Sequence, residues 1–223
     1  MKNQNIHYYA IALLFLAAIT SVNSLKAQSE YGLKGGINYF NIIRSGASSN
    51  LDLNWKDGLT TGIFYNTGKL WGPLGFQTEL LYQMKGSDIE IDHVTYGYSP
   101  YGEPSTNLTV NIPVSSHTIE RLHYLNLPLL ATISAAKFLD FYAGPELGYL
   151  IGMNTKRMES GNLNRFSFGA SVGAKLKLCT STSLDFRYSY DFTNYDDAGV
   201  SGYSDKYRNH GFAITIQQTV FRK

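Results

Sequence analysis

Residues 124–152 read YLNLPLLATISAAKFLDFYAGPELGYLIG, and the order of apolar and polar residues in this stretch decides the fold. In its first half Leu125, Leu127, Leu129, Ala131 and Ile133 fall at every second position, separated by Tyr124, Asn126, Pro128, Leu130 and Thr132. In its second half Phe141, Ala143, Pro145, Leu147, Tyr149 and Ile151 alternate with Tyr142, Gly144, Glu146 and Gly148. A period of two belongs to a strand whose two faces meet different surroundings. Two such runs around a short polar break make a β-hairpin. Each run is about ten residues long, and at about 3.3 Å per residue a tilted strand of that length crosses the hydrocarbon layer of a bilayer.

Working outward, the same period recurs on both sides. Upstream it predicts strands over 31–40, 58–67 and 74–85, with Tyr31, Leu33, Ile37 and Tyr39 opposed to Lys34 and Asn38 in the first. In the third, Leu74, Phe76, Leu80, Tyr82 and Met84 alternate with Gln77, Glu79, Gln83 and Lys85. Downstream it predicts strands over 166–178, 184–193 and 212–220. The clearest pairs Leu184, Phe186, Tyr188, Tyr190 and Phe192 with Asp185, Arg187, Ser189, Asp191 and Thr193. A soluble sandwich seldom gives one face so many aromatic residues and the other such charge. Short turns near Gly68, Ala136 and Ser181 alternate with long segments near Ser48, Tyr98, Thr155 and Tyr203, the asymmetry of bacterial barrels with short periplasmic turns and long outer loops. The segment 86–118, rich in Tyr, Gly and Pro, is expected to be an exposed loop with strand extensions at its ends. The fold class expected is all-β, an eight-stranded antiparallel up-and-down transmembrane β-barrel. The structural alternative is a soluble, lipocalin-like barrel.

Before the first strand, Lys2 precedes an apolar run over residues 10–19 and a polar stretch ending at Ala27. This is the layout of a secretory signal peptide, too short in its apolar run to span a membrane. Residues 1–27 are therefore expected to be the signal peptide and 28–223 one barrel domain. Of 19 basic residues in the chain, removal of Lys2 and Lys26 leaves 17 against 17 acidic ones. That balance argues against nucleic acid as a partner. The partners expected are outer-membrane lipid and an envelope or extracellular protein or glycan, with the barrel a monomer. The single cysteine, Cys179, permits no internal disulfide and is expected to be a small apolar filler at the end of the sixth strand.

The stretches YGLKGGINYFNI, YLNLPLL and YAGPELGYLIG resemble the PorT-type outer-membrane β-barrel family of Bacteroidota. The resemblance covers essentially the whole mature chain. It implies an eight-stranded barrel in the outer membrane and, through the member that names the family, a role in type IX-like protein secretion.

With the apolar faces toward lipid, the opposite faces converge on a narrow interior that an eight-stranded barrel fills with side chains. They bring Lys34, Glu79, Lys85, Glu146, Lys175, Asp185, Arg187 and Asp191 into one space, where buried charges must pair. Arg187 is expected to be the hub, since a guanidinium can bridge more than one carboxylate. The bland reading of this network is a plug; the sharper one is a gated pore or proton path. Catalysis is not expected, because no serine sits at a recognisable elbow and His93, His123 and His210 lie in or beside loops or next to Glu120 and Arg121. No cofactor or metal is expected, although Asp92, His93 and His117 are ligands by type. Tyr96, Tyr98 and Tyr101 are the residues expected to contact a partner, since tyrosine offers large contact area at low entropic cost.

Overall fold

The computed structural model describes residues 29–45, 51–98, 108–154, 164–194 and 206–223. They form eight strands in chain order: β1 Glu30–Ser45, β2 Leu51–Trp71, β3 Leu74–Tyr98, β4 Leu108–Ala136, β5 Leu139–Asn154, β6 Phe166–Lys177, β7 Thr182–Asp191 and β8 Lys206–Arg222. Each pairs antiparallel with its neighbours in sequence, and β1 pairs with β8, so the sheet is a closed barrel with no open edge around the ring. The seam is tied at one end by reciprocal backbone hydrogen bonds between Ser29 and Lys223, at 3.0 and 2.9 Å. The turns at 72–73, 137–138 and 178–181 lie at this same end, here the turn end. Gly72 sits there with φ +56°, a conformation that a side chain would strain. The four long connections all leave the opposite, loop end. The signal peptide expected over residues 1–27 and the cleavage expected at Ala27 both lie outside the described residues.

Burial follows the two-residue period, but the polarity is inverted relative to a soluble protein. The buried set is dominated by polar and charged side chains, whereas Leu33, Ile63, Phe186 and Ile214 are among many large apolar residues that lie 41–57 % exposed. Soluble monomers rarely carry contiguous apolar patches beyond a few hundred Å². A belt of this kind around a whole barrel is stable only against lipid, which rules out the lipocalin-like alternative. Among the described residues no helix is long and apolar enough to cross a membrane; the strands do so.

The main departure from the sequence-based expectation is length. Residues 86–98 and 108–118, expected as loop, continue β3 and β4 as a paired ribbon with Tyr96 opposite Val110 and Tyr98 opposite Leu108. The strands β1 and β2 likewise run past their expected ends, to Ser45 and back to Leu51. Turn-type residues mask these extensions in the sequence, and cross-strand hydrogen bonds supply the stability that local propensity does not.

Candidate functional site: the charged lumen

The eight charged residues expected in the lumen, Lys34, Glu79, Lys85, Glu146, Lys175, Asp185, Arg187 and Asp191, are each 3 % exposed or less. They divide into layers. Nearest the turn end, Lys175 reaches Asp140 at 3.7 Å and donates to Gln77 Oε1 at 2.9 Å, while Lys177 holds the same aspartate at 2.9 Å. Gln77 in turn donates to Glu79.

Above it, Glu79 Oε1 accepts from Arg187 Nη2 at 2.8 Å and Lys34 Nζ at 3.0 Å. Lys34 also lies 2.8 Å from Asp185. The Tyr142 hydroxyl donates to Asp185 at 2.9 Å and accepts from Arg187 Nε at 3.2 Å.

In the third layer Lys85 alone serves two carboxylates, Asp191 at 3.1 Å and Glu146 at 3.4 Å. Asn126, Ser171 and Ser189 donate further hydrogen bonds to Glu146, and Asn209 donates to Asp191. The Lys85 ammonium also sits 5.3 Å from the Phe40 ring centre and 5.2 Å from that of Tyr124. Beyond it, toward the loop end, Ile42, Leu122, Tyr124 and Leu150 form a buried apolar cluster that caps the charged layers.

The expected hub is displaced. Arg187 pairs with one carboxylate, Glu79, whereas Lys34 and Lys85 each bridge two. The reason is geometric: Arg187 and Asp185 share β7, so the guanidinium reaches across the lumen to β3 and the shorter lysines on β1 and β3 fill the gaps between facing acids. Cys179 also departs from its expectation. It is exposed in the β6–β7 turn rather than buried, and the Thr182 hydroxyl beside it holds its thiol below the ordinary cysteine value.

A family model for the outer membrane protein beta-barrel domain matches residues 23–197. The chain belongs to this family. It is thus a small outer-membrane β-barrel protein. No curated protein matches it. Among solved structures, neisserial surface protein A is 13 % identical, covering 85 % of this chain and 97 % of its own, with a TM-score of 0.48. OprG from Pseudomonas aeruginosa is 8 % identical over 87 % of this chain and 97 % of its own, at 0.45. The outer membrane protease OmpT from Escherichia coli is 9 % identical over 89 % and 99 %, also at 0.45.

Several members of the outer-membrane barrel's lumen are not among the residues singled out by sequence. Asp140 and Tyr142 were hidden because Asp140 falls at the turn and Tyr142 reads as one more aromatic. Ser171 and Ser189 lack a charge to mark them. Tyr96 and Tyr98 belong to β3, while Tyr101 lies outside the described residues. The register sets His117 opposite Glu90 and His93 opposite Pro113, so it does not bring the two histidines together.

Proposed function

We propose that this barrel is a non-enzymatic interaction protein whose ion-paired lumen is a structural plug and whose working surface is the β3–β4 extension at the loop end. The observation that carries this reading is length. A transmembrane strand needs about 9–11 residues, and β3 and β4 have 25 and 29. The register of β2 with β3 stops at Leu51 opposite Ile91, and that of β4 with β5 stops at Arg121 opposite Asn154. Beyond those points the described extension is a two-stranded ribbon. Such ribbons are marginal in water by themselves, which favours one built to lie against something else. Its register aligns Val94, Tyr96 and Tyr98 with Ile112, Val110 and Leu108, a composition suited to an envelope or extracellular protein or a glycan.

Two further observations support the non-enzymatic part. The buried serines Ser171 and Ser189 direct their hydroxyls at Glu146 and lie 2.8 Å apart, not against an imidazole. His123 and His210 bond tyrosine hydroxyls from neighbouring strands instead. The second reading, an accessory part of a secretion or transport assembly, rests on the PorT-type resemblance of NLPLL and GPELGYL.

Crosslinked outer membranes provide the test, using the parent and a variant in which residues 91–116 are replaced by an Asn-Gly turn between the paired Glu90 and His117. The interaction reading expects a captured partner that the shortened chain loses. A stoichiometric multiprotein assembly captured by both chains would move the protein to the secretion reading. Well-resolved conductance from the purified monomer in a planar bilayer would overturn the plug.

A further inference from the structure

We infer that two outward-facing columns, Arg121 with His123 on β4 and Arg208 with His210 on β8, bind phosphate groups of lipid headgroups in the outer leaflet. The sequence carries the same unit twice, RLHYL over 121–125 and RNHGF over 208–212. In both, burial alternates identically: Arg and His half-buried, the residues between them buried, and an exposed apolar residue, Leu125 or Phe212, below. Each Arg and His therefore stands on the outer wall, away from the lumen and its ion pairs.

The local geometry also repeats. The His123 Nδ1 lies 2.7 Å from the Tyr82 hydroxyl, and the His210 Nδ1 lies 3.3 Å from that of Tyr188. In each case the tyrosine comes from the preceding strand, one diagonal step toward the turn end, since Tyr82 pairs with Leu125 and Tyr188 with Phe212. With the phenol donating to Nδ1, the ring keeps its proton on Nε2 as a second donor. Trp55 packs edge-on against His210, with ring centres 4.9 Å apart, and fixes that ring from a third strand.

Height decides the ligand. Ten residues separate His123 from Ile133 and His210 from Val220, both exposed apolar positions near the turn end. At about 3.3 Å per residue and a tilt of about 40°, that is about 25 Å along the barrel axis, the height of the apolar band. The histidines thus stand at its loop-end border, and each arginine stands two residues further out. Among the described residues no ion pair engages either guanidinium; Arg208 Nε donates to Asn194 at 3.3 Å and its remaining donors stay available. A guanidinium fork with an imidazole N–H beneath it, level with headgroups, matches a phosphate monoester or diester. An acyl chain of the same lipid would lie down the Leu125 or Phe212 side of the column.

The test uses the full mature barrel in nanodiscs, carrying Trp71→Phe so that Trp55 is the remaining tryptophan reporter beside the β8 column. Bisphosphorylated lipid A, its dephosphorylated form and inorganic phosphate are the probes, read by Trp55 emission and by lipid retained in native mass spectrometry. The expected result is saturable retention of the bisphosphorylated lipid that falls at least tenfold in Arg121→Gln/Arg208→Gln and is not displaced by millimolar inorganic phosphate. Equal retention by the double variant, or equal binding of the dephosphorylated lipid, would overturn the inference. Displacement by inorganic phosphate at concentrations equal to the lipid would also overturn it, in favour of a solute anion site. Heat-modifiable gel migration checks assembly. Should the double variant not assemble, each single variant is expected to lose about half of the retained lipid, with the Trp55 response lost only in Arg208→Gln; no loss in either would overturn the inference.

Discussion

At the scale of single residues, the lumen distributes its cations unevenly, and that unevenness ranks the consequences of removing them. Glu79 has two cationic partners, Arg187 and Lys34, so it keeps one when the other is lost. Asp185 has Lys34 as its ion-pair partner, supported by the Tyr142 and Thr215 hydroxyls. Glu146 and Asp191 share Lys85. Removing one partner of a buried pair costs about 3–5 kcal/mol because it strands the other charge. Lys85→Met strands two carboxylates and is expected to be the most destabilising, followed by Lys34→Met, with Arg187→Met the mildest of the three. Urea unfolding of the barrel in lipid vesicles measures the order. Asp191→Asn added to Lys85→Met should recover part of the loss, since one fewer charge is then stranded; an unchanged or larger loss in the double variant would show that Lys85 acts through packing on Phe40 and Tyr124 instead.

Among whole elements, β7 and β8 show the lipid-facing wall most directly. Phe186 stands opposite Ile214 in their register, and both side chains are more than 40 % exposed on the outer face. An arginine at the midplane of such a wall costs about 2–4 kcal/mol. Phe186→Arg and Ile214→Arg should each lower the fraction of heat-modifiable, folded barrel in vesicles, and folding equal to the parent in both would mean that this wall does not meet lipid. The strands β5, β6, β7 and β8 were legible in the sequence because their apolar residues fall on one face and their small or charged residues on the other. Toward the loop end the period was blurred in two physical ways. In β4 and β5 near the loop end, Leu122, Tyr124 and Leu150 point inward to the apolar cap, so both faces read as apolar and the cap left no signal. In 86–118, Gly86, Gly97 and Pro113 read as turn chemistry, although long-range pairing carries the strands through them. The inward positions of the eight charged residues follow from alternation alone. Their pairing depends on which rows meet across the lumen, and that is set by strand register and tilt rather than by any local pattern.

Viewed as a whole molecule, the barrel has two unlike ends, and its orientation fixes what the β3–β4 extension can touch. In bacterial outer-membrane barrels the short turns face the periplasm and the long connections face outward, which would set Ser29, Lys223 and the 178–181 turn on the inner side. Cys179 makes this testable without added chemistry, because it is the single cysteine of the chain, it is exposed, and it lies in that turn. Its thiol sits below the ordinary cysteine value through the Thr182 hydroxyl, so more of it is thiolate at neutral pH and maleimide reacts readily. A polyethylene-glycol maleimide too large to cross the outer membrane should leave Cys179 unmodified on intact cells and label it after permeabilisation. A Cys179→Ser/Asn154→Cys variant, whose thiol is placed at the exposed loop-end terminus of β5, should show the reverse and label on intact cells. If Cys179 labels on intact cells while the Asn154→Cys variant does not, the loop end faces the periplasm. The extension would then meet envelope proteins rather than extracellular ones, and the arginine–histidine columns would stand in the inner leaflet.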